Sequence, residues 1–217
     1  MKKEEVSKEQ YNKILEHVMG AFIKNGVKAT TMDSIATTLQ MSKRTLYEIF
    51  GNKEEIFKEA NKYFHQKTAD KLRSIFANSD NVMEAIIKCF LYNRDFMSNV
   101  NVNFIRDLDE YSRQHNQISP ETKRKHYHNL YDVLKKGVEE GYFRNDVNLM
   151  VQCHMLTIQM EALKRSEELF SQDISLLEVF DSIILGFLRG LASTKGLEEL
   201  ERYTPNLTIS NKSDHLQ

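Results

Sequence analysis

Proline and glycine are scarce in this 217-residue chain: two prolines and eight glycines leave too few turn residues for an all-β sandwich or barrel. Tryptophan is absent, and cysteine occurs only at Cys89 and Cys153. Both stand in apolar periodic segments without CxxC or Cys/His ligand spacing, so they read as small hydrophobes in a reduced setting. No apolar run approaches the roughly eighteen residues that cross a bilayer, and no apolar segment follows the charged start MKKEEVSKEQ. The expectation is a cytoplasmic, all-α protein without membrane contact, long enough to bury a core without disulfide or metal staples.

Charge of one sign is also missing: 30 Lys+Arg face 31 Asp+Glu. The distribution is uneven, however. The first 68 residues carry 12 basic against 9 acidic side chains and the remainder 18 against 22, so the N-terminal end is the first place to look for a polyanionic partner.

What is present is helical periodicity. Ile14, Leu15, Val18, Met19 and Phe22 line one face of a first helix that Gly26 ends as a cap. A second, short helix starts at Thr30-Thr31, with Thr30 and Asp33 resembling a capping box, and ends near Leu39. After Gln40-Met41-Ser42, a third runs from a Ser42 cap to about Ile49, with Leu46 and Ile49 pointing into the core. Asn52 and Glu55 open a long strut with Ile56, Ala60, Phe64, Leu72, Ile75 and Phe76 as its apolar positions. Further helices are expected from Asn81, over 102 to 114, from Ser119-Pro120 to Gly141, from Asn148 to Leu169, and from Ser175 to Lys195 with Gly196 as cap. That makes about nine helices and a frayed polar tail over 198–217.

Two short helices joined by a three-residue turn and backed by a preceding helix form a helix-turn-helix, whose second helix enters the major groove. Ser42, Lys43, Arg44, Thr45 and Tyr47 give that helix polar tips that bond phosphates or base edges. Taken singly, Tyr47 and Phe50 read as core aromatics and Lys43-Arg44 as a solvated turn. Caps, stripe and spacing together favour DNA binding.

Residues 10 to 57 resemble the DNA-binding domain of TetR-family transcriptional regulators. The motifs are Phe22-x-x-x-Gly26, Thr30-Thr31-x-x-x-Ile35-Ala36, and Ser42-Lys43-x-Thr45-Leu46-Tyr47-x-x-Phe50-x-x-Lys53-Glu54-Glu55-Ile56. The resemblance implies that Thr31, Ser42, Lys43, Thr45 and Tyr47 contact DNA, that Lys53 reaches a phosphate and that Arg44 is the variable base reader. It also implies a DNA-binding domain over 1–52, a ligand-binding and dimerisation domain over 53–197, and a repressor whose palindromic operator is double-stranded DNA. One position departs from the family pattern, which usually has glycine where Gln40 stands; a left-handed glutamine there costs about 1 kcal/mol relative to glycine.

Beyond residue 60 the resemblance survives mainly as Gly141-Tyr142-Phe143-Arg144-x-Asp146, similar to the family's link into its last two helices. The final helix is apolar on more than one face and carries Gly186 and Gly190 four residues apart, which suits close helix packing. A homodimer is expected through 148–195, with Leu156, Phe180, Ile183, Ile184, Gly186, Phe187, Gly190 and Leu191 as interface candidates. The family's regulators commonly bind a small molecule between strut and dimer helices. Phe90, Phe96, Phe104, Tyr111, Tyr127, Tyr131, Met155 and Gln159 are the candidate lining, each alone reading as ordinary packing. Asp107, Asp109 and Glu110 are alternative contacts for a cationic effector, though acids on a helix are usually solvated.

An enzyme is not expected. His126 and His128, two apart on a helix, face different directions, and His115, His128 and His154 have no ligand spacing. Neither a phosphate-cradling glycine loop nor a nucleophile elbow occurs. No cofactor or metal is expected. Two rivals to a DNA-binding regulator remain, a helical enzyme without a recognisable motif and a helical protein-interaction module.

Overall fold

Helices here begin where a hydroxyl or amide meets an orphan backbone N–H. The computed structural model describes residues 6–114, 120–165 and 174–204. Ser7 opens α1 (Lys8–Asn25) in a reciprocal pair with Gln10, and Gly26 closes it at φ +88°. Thr31 opens α2 (Met32–Thr38), Ser42 opens α3 (Lys43–Phe50), and Asn52 accepts the Glu55 N–H to open α4 (Lys53–Ala77). The others are α5 (Val82–Asn99), α6 (Val102–Gln114), α7 (Pro120–Glu139), α8 (Leu149–Arg165), α9 (Leu176–Leu191) and α10 (Thr194–Tyr203). Among the described residues there is no β-strand, only an isolated bridge between Phe143 and Ala192.

Two local details differ from the expected pattern. The cap of α2 is Thr31 with Ser34, because Thr30 is buried and donates its hydroxyl to the Gly26 carbonyl at 2.7 Å. The last expected helix is two helices. Ala192 turns extended at ψ 139° and Ser193 caps α10 by accepting the Gly196 N–H, so Gly196 lies inside a first turn and ends nothing. The break lets the chain after α7 pair with it: Arg144 N–H donates to Leu191 and Ser193 N–H to Tyr142, both at 2.9 Å. The expected start at Ser119, His115, residues 166–169 and the tail from 205 lie outside the described residues.

The chain divides into two compact units. The first comprises Met1–Ser74 and Asn99–His115. The stripe of α1 is completely buried, together with Ile35, Leu46, Ile49, Ile56, Phe57 and Phe104. Phe57 sets its ring edge-on to Phe22 at 5.3 Å and to Tyr111 at 4.8 Å, tying α1, α4 and α6 together. The α1–α2 loop is bonded to α6 as well. Asn101 N–H donates to Ile23, Lys28 N–H to Asp107 at 2.9 Å, and the Lys28 ammonium to Glu110 at 2.6 Å. Asp107 and Glu110, weighed above as effector contacts, are thus partners of Lys28, and Asp109 pairs with Arg113. Packing therefore adds α6 and most of α4 to the three N-terminal helices.

The second unit comprises Ile75–Ser98 and Asn116–Gln217, with Val82, Met83, Ile87, Leu134, Leu163, Leu185, Leu188 and Leu200 in its core. The turn after α7 is wedged between two glycines. A Cβ on Gly137 would overlap the Phe143 ring, and one on Gly196 would overlap the Tyr142 carbonyl. The end of α10 is pinned by Tyr203, whose hydroxyl donates to buried Glu84. Lys88 at 2.8 Å and then the Asp80 N–H hold that carboxyl below the usual range.

Candidate nucleic-acid interface

The turn between α2 and α3 is built without glycine. Met41 N–H donates to Ala36 and Gln40 N–H to Thr37, the paired bonds of a Schellman motif, with Gln40 in the left-handed position at φ +53°. Gln40 is the only non-glycine with positive φ among the described residues. Both bonds of the motif are formed, so the turn keeps its geometry while glutamine carries the steric cost that glycine avoids.

This turn aims α3. Ser42 accepts the Thr45 N–H at 3.0 Å and shares a hydroxyl bond with Thr45 Oγ1 at 2.7 Å. Leu46, Ile49 and Phe50 are buried, and Phe50 stacks on Tyr11 at 5.3 Å. Tyr47, one position on from Leu46, is 42% exposed. Of the two aromatics that composition alone assigns to the core, one is therefore core and the other is solvent-facing. The Arg44 side chain is 88% exposed and pairs with Glu48 at 2.9 Å, while Lys43 reaches Asp33 of α2 at 2.7 Å. That carboxylate raises the Lys43 pKa, keeping the ammonium charged. Exposed pairs of this kind contribute ~1 kcal/mol or less, so a phosphate or a base edge competes with them readily. Thr31 is exposed at the start of α2.

Lys53 is placed differently from its neighbours in the expected set. Its ammonium donates to three carbonyls of the α1–α2 loop, Val27 at 3.1 Å, Lys28 at 3.3 Å and Thr30 at 3.1 Å. An ammonium has three donors, and all three are engaged. Lys53 therefore clamps the first turn of α4 to the loop that precedes α2. The three carbonyls, which have no sequence signature, are the reason the spacing alone does not reveal this role.

The candidate effector and interface residues are sorted by the structure in a different way. A cavity of about 300 Å³ opens inside the second unit among α5, α7, α8 and α9. Phe90 lines it, as expected, but so do Leu156, Phe180, Ile184 and Phe187, which the sequence reading assigns to the interface. Leu191 is buried in the core and Ile183 half-buried. Phe104 and Tyr111 belong to the first unit, while Phe96, Tyr127 and Tyr131 are half-buried and off the cavity wall. Tyr127 has its ring against His154 at 4.4 Å. Met155 and Gln159 face outward. With Val151 and Ile158, the latter 57% exposed, Met155 forms an apolar stripe at i, i+4 and i+7 on α8. Gly186 and Gly190 are exposed on α9 with open space where a Cβ would stand. Reversal of inside and outside on α8 has a simple cause: its apolar residues surround the helix, so periodicity selects no single face.

The cavity also contains residues the sequence reading does not single out, Cys89, Asn93, Met97 and Met160. A signal exists for one of them. Ile86, Cys89, Phe90, Asn93 and Met97 follow helical spacing, and an amide within an apolar stripe marks a polar group facing a hydrophobic interior. Among the described residues no helix is long and apolar enough to cross a membrane, and no group of three or more His, Cys, Asp or Glu side chains is placed to hold a metal ion.

Residues 14–60, from within α1 into α4, match the family profile described as bacterial regulatory proteins, tetR family. A second profile, a phage integrase SAM-like domain, matches residues 52–151, a stretch that takes part of both compact units. Among curated proteins, the transcriptional repressor KstR2 of Mycobacterium tuberculosis is 28% identical over 140 residues, 63% of this chain and 70% of KstR2. The solved structure of KstR2, described as a ketosteroid transcriptional regulator, aligns with a TM-score of 0.57 at 21% identity, covering 87% of this chain and 97% of that one. A tetR-family regulator from Cytophaga hutchinsonii aligns with a TM-score of 0.62 at 18% identity, covering 88% and 100%.

Proposed function

We propose that the chain, a DNA-binding transcriptional regulator whose residues 14–60 match the tetR-family profile, is a ligand-responsive repressor that binds a palindromic operator as a homodimer. The observation that carries this reading is the outward edge of α3. Ser42, Lys43, Arg44, Thr45 and Tyr47 stand together on a helix whose other face is locked by Leu46, Ile49 and Phe50. A rigid helix with polar tips on one side has the geometry for major-groove reading. In this reading Arg44 and Tyr47 reach base edges, Thr31, Ser42, Lys43 and Thr45 hold the backbone, and Lys53 keeps the α1–α2 loop in place rather than touching a phosphate.

Three further observations support the other parts. KstR2 is named a repressor. The α8 stripe of Val151, Met155 and Ile158, beside the bare Gly186 and Gly190 of α9, is an apolar surface suited to a second copy across a two-fold axis. Two copies then present two recognition helices to successive major grooves, and the operator is read as a palindrome. The internal cavity is the effector site, and a ligand that favours one conformer shifts the DNA affinity of the whole.

The test is a selection of bound sequences from a random DNA pool, with a salt titration. An enriched palindrome, lost in Tyr47→Ala and Arg44→Ala, is the expected result. No enrichment, with no retention at low salt where even non-specific binding reaches a Kd of roughly 10⁻⁴ to 10⁻⁶ M, overturns the assignment of DNA binding to α3. For the dimer, the double substitution Met155→Glu/Ile158→Glu should convert the dimer to a folded monomer by light scattering. An unchanged mass would move the interface off α8.

A further inference from the structure

The cavity in the second unit has a wall of unusual uniformity. Its aromatic and aliphatic side chains come from α5, α7, α8 and α9, and among the described residues no Lys, Arg, His, Asp or Glu lines it. Among the described residues the polar groups on the wall are the Cys89 thiol and the Asn93 amide. Asn93 donates one Nδ2 hydrogen to the Cys89 carbonyl at 2.8 Å, which orients the amide and leaves Oδ1 and the second N–H as its remaining bonding groups. Several charged residues adjoin the wall in sequence; two of them are Arg94, next to Asn93, and Asp181, next to Phe180. These two are bonded to each other, with Arg94 Nε 3.0 Å from both carboxylate oxygens. Neither charge is left to meet an ion inside the cavity.

From this geometry we infer that the effector is electrically neutral where it enters the cavity: an apolar hydrocarbon body bearing one hydroxyl or similar donor, which bonds Asn93 Oδ1. The inference rests on the proposed effector role of this cavity and names the chemistry of its ligand. An ionised carboxylate or ammonium loses its hydration on entering such a wall and finds no counter-charge, a cost far above what one amide returns. A neutral hydroxyl loses less and recovers it in a single bond to a preset acceptor. The cavity's own thiol experiences the same environment: burial pushes the Cys89 pKa up to about 11, the response of a group whose anion is poorly solvated. At about 300 Å³ the volume is at the lower end of ligand sites, which favours a compact molecule.

The experiment compares 1-decanol, decanoate and decylammonium as probes on the full chain by isothermal titration at pH 7.5, with operator retention measured in parallel. Decanol should bind at least tenfold more tightly than either ion. Asn93→Leu, which keeps the wall apolar, should weaken decanol about tenfold without improving decanoate. Met160→Trp, which fills the cavity, should abolish decanol binding, with far-UV circular dichroism as the control for folding. Decanoate binding as tightly as decanol overturns the neutral-ligand inference but leaves the cavity an effector site. Decanol binding unchanged in both variants places the ligand elsewhere and overturns it too. Failure of all three probes to bind overturns the inference and the effector role of the cavity together. None of these outcomes bears on α3, because operator retention without ligand is read separately.

Discussion

The two compact units carry their candidate sites by opposite means. In the first, short helices are fixed by polar devices, Ser7, Thr31, Ser42 and Asn52 at helix starts and Lys53 across to the α1–α2 loop. What remains outside those devices, the edge of α3, is exposed and polar. In the second unit, long apolar helices surround a cavity of about 300 Å³, and the site is defined by an apolar lining that carries no charge among the described residues. The helix caps among these devices leave a sequence signature because each needs a particular residue at a particular spacing. An apolar interior leaves almost none, since Leu, Ile, Phe and Met replace one another at little cost.

The largest effect that would test this contrast belongs to the second unit. Gly196→Ala places a methyl onto the Tyr142 carbonyl, which already accepts the Ser193 N–H. Backbone does not yield as a side chain does, so urea unfolding should show a loss of about 3 kcal/mol or more. Gly186→Ala and Gly190→Ala meet open space inside a helix and should raise monomer stability by about 0.5–1 kcal/mol each. A similar gain at Gly196 would mean that helix propensity, and not the close approach of the turn after α7, governs that position.

The next largest effects separate reading from clamping in the first unit. Arg44→Ala should cost about 1–3 kcal/mol of operator affinity at matched bases with thermal stability unchanged, because its side chain is 88% exposed. Lys53→Met removes a donor from three carbonyls and should cost about 1–3 kcal/mol of folding stability. A phosphate-binding lysine would also contribute about 0.9 to the slope of log K against log salt. The slope for Lys53→Met should instead equal that of the parent. A reduced slope with unchanged stability would return Lys53 to the phosphate role that the family resemblance implies.

Much of the first unit was legible from particular residues. The stripe from Ile14 to Phe22, the Gly26 stop, the Ser42 cap and the buried Leu46 and Ile49 all stand where spacing alone puts them. The Thr30–Thr31 pair was ambiguous, since either hydroxyl suits a cap, and burial against the Gly26 carbonyl decides it. In the second unit the helices α5 and α7 are legible, but the phase of α8 is not. Met155 and Leu156 are one residue apart, one facing out and the other lining the cavity, and no polar neighbour breaks the tie. The division of α9 from α10 escaped because Ser193 looks like a mid-helix serine until the turn after α7 comes back to pair with it.

The smallest effect concerns Gln40, where local preference and tertiary demand conflict. Its left-handed φ of +53° is imposed by the Schellman bonds to Thr37 and Ala36, which must form if α3 is to leave α2 at a helix-turn-helix angle. Glycine would relieve the steric cost but would also loosen the unfolded chain, and the two partly cancel. Gln40→Gly should therefore raise stability by no more than about 1 kcal/mol, seen as a small upward shift in the midpoint of urea unfolding at unchanged slope. Operator affinity should not change, because both bonds of the motif are already made with glutamine. An affinity gain larger than the stability gain would mean that the turn is distorted in solution and that glycine restores the aim of α3. The first unit would then be tuned by its turn as well as by its caps.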